Sequence, residues 1–303
     1  MLGTGAVVQQ VLMMFLIVVV GAVLRRMKRF GDGMIAGLSD LLLSVSMPCL
    51  VISAFQFAFT ERIALNMLAV FAVAAAAHLL GFLAGSLGCR RGMEPRRRAV
   101  LRFSLTFSNC AFMAFPLVEA MFGAEGLIYA SVYLASYNLF QWTLGVRIYR
   151  AEERLSWRHL LTPGLISVAI GAGLFFLGWR LPGPLAGVCS QLGALTTPVS
   201  MLLIGARMSD SRPRDFLGDP AIYLVALVRL VAMPLLLYAA LRLTGLDPLP
   251  MGVTVMSIGM PPAAATVMFA ERYGGDAALA SRVVFVVTLL SMVTIPVVMG
   301  ALF

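Results

Sequence analysis

Long apolar runs alternate with short charged connections along almost the whole chain. A helix that crosses a bilayer needs about 20 predominantly apolar residues. The pattern therefore predicts an all-α integral membrane protein with ten membrane-spanning helices and no separate soluble domain. The predicted spans are residues 5–24, 34–56, 64–88, 99–121, 126–146, 160–178, 185–206, 220–241, 250–270 and 279–302.

The basic residues predict how the ten spans are oriented in the membrane, because Lys and Arg gather in the cytoplasmic loops of membrane proteins. Almost all of the 23 basic residues lie in the odd-numbered connections, whereas the even-numbered ones hold Arg62, Arg180 and Arg242. An error in the number of spans would scramble this alternation. We therefore expect the odd-numbered connections to be cytoplasmic and both termini to lie outside.

The composition agrees with a membrane environment. The chain is 60% hydrophobic and 12% charged, with a mean hydropathy of +0.94, whereas soluble domains carry about 25% charged residues. The net charge of +9 follows from the basic loops, and no basic stripe interleaved with aromatic residues indicates nucleic acid. The four cysteines form no CxxC pair, so we expect free thiols, no metal site and no cofactor.

The two halves of the chain resemble each other. Pro48 and Pro198, 150 residues apart, each lie within a span and follow small hydroxyl residues. Because each half has five spans, an odd number, the second copy would be inverted relative to the first, as in many secondary transporters. This predicts repeats at residues 1–150 and 151–303, although chance similarity between apolar segments is an alternative.

Prolines interrupt spans 4 and 9. Span 4 contains Asn109 and Pro116, and span 9 contains Gly259, Pro261 and Pro262. Proline removes a main-chain donor and suits the first position of a restarted helix. Helices that restart near these prolines would direct free N–H groups towards the bilayer centre, where they suit a carboxylate, and the preceding carbonyls would suit a cation. The alternative is that the prolines only kink their helices.

The residues around both breaks resemble the auxin efflux carrier family. Asn109 precedes Pro116-Leu117 by seven residues, and Met260-Pro261-Pro262 is followed by Ala270-Glu271-Arg272-Tyr273-Gly274 and by Thr288-Leu289-Leu290-Ser291 with Pro296. The resemblance implies two inverted five-helix repeats in which helices 4 and 9 are broken and cross. It also implies a bacterial inner-membrane protein similar to malate or malonate permeases. Alanines at 111 and 114 replace the usual glycines, and the second break has no asparagine matching Asn109.

Five further polar residues lie within spans or at their ends. Ser108, Asn138, Gln141 and Glu119 are candidates for binding or coupling a cation, either Na⁺ or H⁺. Interhelical hydrogen bonding is the alternative for Asn138 and Gln141, and an exposed outer vestibule is the alternative for Glu119. Arg229 is the one charge near the middle of a span, where it binds a substrate carboxylate, forms a structural pair or snorkels to the interface.

These features favour a secondary transporter of small organic anions, with carboxylates as the expected substrates. The resemblance implies an elevator-type mechanism. The expected partners are the organic anion and the lipid bilayer, and a homodimer is the candidate assembly. An intramembrane enzyme or a membrane sensor is the alternative. The enzyme is disfavoured because no aspartate pair lies within the spans and the two histidines are His78 and His159. A sensor is disfavoured because no extra domain is present to carry a signal.

Overall fold

The structure is a computed structural model that describes residues 4–89, 92–150, 161–209 and 219–303. The described part is almost entirely helical, with one isolated β-bridge. Its helices are α1 (Thr4–Arg26), α2 (Asp32–Ala54), α3 (Glu61–Gly88), α4 (Pro95–Thr106), α5 (Ala114–Tyr149), α6 (Pro163–Phe176), α7 (Gly183–Ser209), α8 (Pro220–Leu241), α9 (Pro248–Ile258), α10 (Ala265–Tyr273) and α11 (Ala277–Leu302).

Six of the described helices are long and apolar enough to cross a membrane, namely α2, α3, α5, α7, α8 and α11. Helices α6 and α9 are apolar but shorter. Large apolar side chains on these helices point away from the core, including Leu68, Leu87 and Leu236. A surface of this kind needs lipid as its solvent. The fold is that of a multi-pass helical membrane protein, and the count of ten spans and the inverted repeat stay predictions.

Two of the apolar segments are interrupted. Residues 107–113 separate α4 from α5, and residues 259–264 separate α9 from α10. Helix α5 begins two residues before Pro116, and α10 begins three residues after Pro262, so neither proline is the first residue of its helix. In the second break, Pro262 disfavours the helical region for Pro261, and the N–H of Ala263 donates to the carbonyl oxygen of Phe107 in the other interrupted segment, so the chain just after Pro262 is not helical.

Helix α5 contains a sharp bend at Gly123. This glycine has φ 68° and ψ −166°, a conformation that other residues rarely adopt. The bend separates the short helical segment after the first break from the long segment that ends at Tyr149. Sequence periodicity placed the end of span 4 and the start of span 5 on either side of this position.

Three π-helical turns occur inside the long helices, at Leu42–Ser46 in α2, Gln141–Gly145 in α5 and Val228–Ala232 in α8. A π-turn widens the helix locally and is often found where a helix carries a functional residue. Two of the sequence-predicted site residues, Gln141 and Arg229, lie in these turns.

Helices α1 and α7 pack with their backbones in close contact. Gly21 of α1 lies against the main chain of Leu202, and Gly205 of α7 lies against the main chain of Val18. A Cβ atom at either glycine would collide with a carbonyl oxygen of the opposite helix. Glycine at these two positions therefore sets the separation of α1 and α7.

Candidate functional site

The two interrupted segments cross and pair through their main chains. The N–H of Asn109 donates to the carbonyl oxygen of Pro261 at 2.7 Å, and the N–H of Ala263 donates to that of Phe107 at 3.0 Å. These two bonds form an isolated antiparallel bridge centred on Ser108 and Pro262. We refer to the paired peptides, residues 107–109 and 261–263, as the crossing.

Asn109 organises the chain after the first break. Its Oδ1 accepts a hydrogen bond from the N–H of Phe112 at 3.3 Å, and its main-chain oxygen accepts from Met113 at 3.4 Å and from Ala114 at 3.3 Å. Because these bonds satisfy donors that would otherwise be free, they act like a helix cap and allow α5 to begin at Ala114.

A cavity of about 220 Å³ lies beside the crossing. The part of the chain that the structure describes contributes no Asp, Glu, Lys, Arg or His to its lining. Its walls are mostly apolar, with a small set of polar and aromatic side chains. These polar and aromatic residues are Ser108, Asn109, Phe112, Tyr137, Asn138, Gln141, Trp142 and Thr162.

Main-chain N–H groups supply the partial positive charge that the lining side chains lack. Ala111, Ala264 and Ala265 line the cavity, and their N–H groups have no acceptor within the described ranges. Ala265 is the first residue of α10, and Ala264 caps it without a side-chain hydrogen bond. A helix N-terminus carries free donors and a partial positive charge, so this wall of the cavity suits an anion.

Four sequence-predicted residues come together at the cavity, namely Ser108, Asn109, Asn138 and Gln141. The amide of Asn138 donates to the carbonyl oxygen of Leu134 at 3.0 Å. The buried Oε1 of Gln141 and the hydroxyl of Ser108 have no partner among the described residues. A buried polar group without a partner is uncommon in a folded protein, and both of these groups belong to residues that line the cavity.

The remaining predicted residues lie away from the cavity wall. Pro261 and Pro262 belong to the crossing and shape it through the main chain. Gly259 and Pro116 are buried, and Glu119 is exposed, each at a position outside the cavity lining.

Arg229 is buried behind the crossing, with 1% of its surface exposed. One terminal nitrogen donates to the carbonyl oxygen of Leu105 at 3.0 Å, and the other donates to that of Ile258 at 2.8 Å. The first nitrogen also contacts the sulfur of Met233 at 3.6 Å. No carboxylate of the described residues forms an ion pair with it. Arg229 therefore binds main-chain carbonyls and does not line the cavity.

Sequence reasoning expected free N–H groups near the two breaks, but it did not assign them to these alanines and did not identify the partners of Arg229. Every non-proline residue carries an N–H and a carbonyl, so residue type gives no signal for either. It also did not select Trp142, which lines the cavity one residue after Gln141.

Comparison with known proteins agrees with this architecture. The family described as Membrane transport protein matches residues 6–156 and 147–299. A protein of Methanothermobacter thermautotrophicus, named as an uncharacterized transporter, is 25% identical over 293 residues, which cover 95% of this chain and 96% of that protein. Another uncharacterized transporter, from Methanocaldococcus jannaschii, is 23% identical over 203 residues, or 62% of this chain and 63% of that protein. The chain belongs to the membrane transport protein family, that of the auxin efflux carriers.

Proposed function

We propose that the protein is a secondary carrier of small organic anions, with carboxylates as its substrates. One observation carries the proposal: Ala111, Ala264 and Ala265, whose N–H groups have no acceptor in the described ranges, line one cavity beside two crossed, broken helices. Because the described lining has no charged side chain, these dipoles are the anion's electrostatic partners.

The proposed substrate is small. A volume of about 220 Å³ lies below the range of roughly 300–1,000 Å³ typical of pockets for drug-sized ligands. The carboxylate would accept from the alanine N–H groups and from the amide groups of Asn109, Asn138 and Gln141. Tyr137 and Trp142 would contact the rest of the substrate. Malate and malonate, expected from the family resemblance, are of suitable size and charge.

The proposed mechanism is an elevator-type movement within ten spans, arranged as inverted repeats over residues 1–150 and 151–303. The main-chain bonds of the crossing would make its two broken helices move as one body against the other helices. The cavity wall includes Thr162, Pro163 and Gly164, next to a connection whose basic residues predict a cytoplasmic location. This supports an inward-facing state. We place the protein in a bacterial inner membrane with both termini outside, and a homodimer is the candidate assembly.

Uptake into proteoliposomes tests the proposal. Purified protein is reconstituted and offered radiolabelled malate, malonate, succinate and indole acetate, with protein-free liposomes as the baseline. At least one carboxylate should accumulate in a saturable manner. Folded protein that transports none of them, or that transports cations equally well, would refute the carboxylate assignment.

A pair of asparagine variants tests the location of the site. Asn138→Ala removes an amide from the cavity, and we expect it to raise the KM roughly tenfold, the loss of one hydrogen bond to a charged group. Asn66→Ala removes an amide that donates to Asp247 at 2.7 Å, away from the cavity, and should leave the KM unchanged. Equal KM values for the two variants would show that the substrate does not bind at this cavity.

A further inference from the structure

The broken helices leave two carbonyl-rich ends facing the protein interior. Helix α4 ends at Thr106 and α9 ends at Ile258, and both ends are buried. The last carbonyls of a helix have no intrahelical partner, and together they carry a partial charge of about −0.5. Two such ends, held together by the crossing, form a concentrated negative region in the core of a membrane protein.

Arg229 fills this negative region. Its guanidinium donates to Leu105, in the last turn of α4, and to Ile258, the last residue of α9. One planar fork therefore binds both helix ends at once, with its two donating nitrogens held in a fixed geometry that a flexible ammonium group lacks. The two ends, at about −0.5 each, are balanced by one unit of positive charge.

Arg229 is fixed in this position by its own helix. It lies in the π-turn of α8, where Leu230 is also buried, and it contacts Met233 one turn later. A charged side chain in the interior of a membrane protein needs a polar partner. The described residues supply only main-chain carbonyls and the sulfur of Met233 as acceptors for Arg229.

We infer that Arg229 is a built-in counter-ion that takes the place of a coupling cation at the carbonyl ends of the crossing. The anion side of the crossing remains open, because Ala264 and Ala265, whose N–H groups have no acceptor in the described ranges, line the cavity and Arg229 does not. The carrier accordingly needs no Na⁺ at these helix ends to hold its substrate. The transport consequence rests on the proposed function, whereas the placement of Arg229 does not.

The transport arm compares four proteins in proteoliposomes, with Na⁺ or choline as the external cation. Wild-type uptake should be the same in both. In choline, uptake by Arg229→Ala should be roughly tenfold or more below that of wild type, since two buried carbonyls lose a charged donor. Added guanidinium ion should restore this uptake. Arg229→Lys, which keeps the charge, should retain part of the activity without Na⁺. Arg242→Ala removes a charge from the C-terminal cap of the same helix and should behave as wild type.

A second readout needs no substrate. The melting temperature of Arg229→Ala in detergent should rise in a saturable manner with guanidinium ion, at concentrations far below those that denature proteins. Wild type and Arg242→Ala should show no such rise. If the melting temperature of Arg229→Ala does not rise, guanidinium does not occupy the vacated position and the inference fails, even if wild type transports carboxylates. Conversely, a saturable rise in a protein that transports nothing would retain the placement of Arg229 and refute the proposed function.

Two further results would overturn the inference. One is wild-type uptake that requires Na⁺, because the helix ends would then need a second cation. The other is the pair Arg229→Gln and Arg229→Lys. If the neutral variant transports as well as the charged one, positive charge at this position is dispensable. This comparison also decides the matter should Arg229→Ala fail to fold.

Discussion

Replacing Asn109 by aspartate tests the electrostatics of the cavity. Asn109→Asp keeps an oxygen that can accept from the N–H of Phe112, a bond of 3.3 Å in the structure, so we expect α5 to keep its start. It also exchanges the amide donor for a negative charge beside the cavity. At a separation of roughly 5 Å and an effective dielectric constant of about 20, repulsion of a carboxylate amounts to about 3 kcal/mol. This corresponds to a loss of affinity of roughly two orders of magnitude.

The matched control is Asn109→Ser, whose hydroxyl can also accept from Phe112 but adds no charge. Initial rates of carboxylate uptake into proteoliposomes, measured over a range of substrate concentrations, give the KM of each variant. Melting temperatures in detergent show whether both variants fold. We expect the serine variant to transport with a moderately raised KM and the aspartate variant to be nearly inactive. Equal KM values in two folded variants would show that no anion binds beside Asn109.

Three other substitutions test separate parts of the structure. Gly205→Ala should destabilise the protein by about 1–3 kcal/mol through overpacking against α1, whereas Gly187→Ala in the same helix meets no atom within 4 Å and should leave the melting temperature equal or raised. Gln141→Met should weaken carboxylate binding roughly tenfold without lowering the melting temperature, because the buried Oε1 has no protein partner in the described ranges. An unchanged KM would remove Gln141 from the site. Asp247 accepts hydrogen bonds from Arg62, which lower its pKa to about 2. Since the folded pKa lies below the unfolded value, the pair stabilises the protein above about pH 4, and this contribution disappears as the pH falls towards 2. The difference in melting temperature between wild type and Asp247→Asn should be equal at pH 7 and pH 5, and a difference that disappears by pH 5 would contradict the assignment.

The sequence predicted those features of the fold that depend on local composition. Apolar runs predicted a helical membrane protein, and prolines without an N–H predicted interruptions near residues 107–116 and 259–262. The restarted helices begin two residues before Pro116 and three residues after Pro262, and not at the prolines themselves. Hydrogen bonds to Asn109 allow the first helix to begin earlier, and the bond from the N–H of Ala263 to Phe107 keeps the second break extended beyond Pro262.

The sequence could predict only those parts of the candidate site that are made of side chains. Asn109, Asn138 and Gln141 stood out as polar residues in apolar spans, and the structure places them on one cavity. Arg229 stood out for the same reason, but its partners are carbonyl oxygens contributed by other helices. Their position follows from the tertiary fold, which no pattern along one segment specifies.

The main-chain bridge at the crossing has a consequence for how such carriers diversify. In the proposed carrier, the anchor for a negative charge is made of main-chain N–H groups next to this bridge, which side-chain substitutions leave in place, whereas side chains such as Tyr137, Trp142 and Met268 also line the cavity. Substitutions at these three positions can alter the size and shape of the accepted substrate without removing its anchor. New specificities would therefore arise by exchange of a few side chains while the proposed main-chain anchor stays constant.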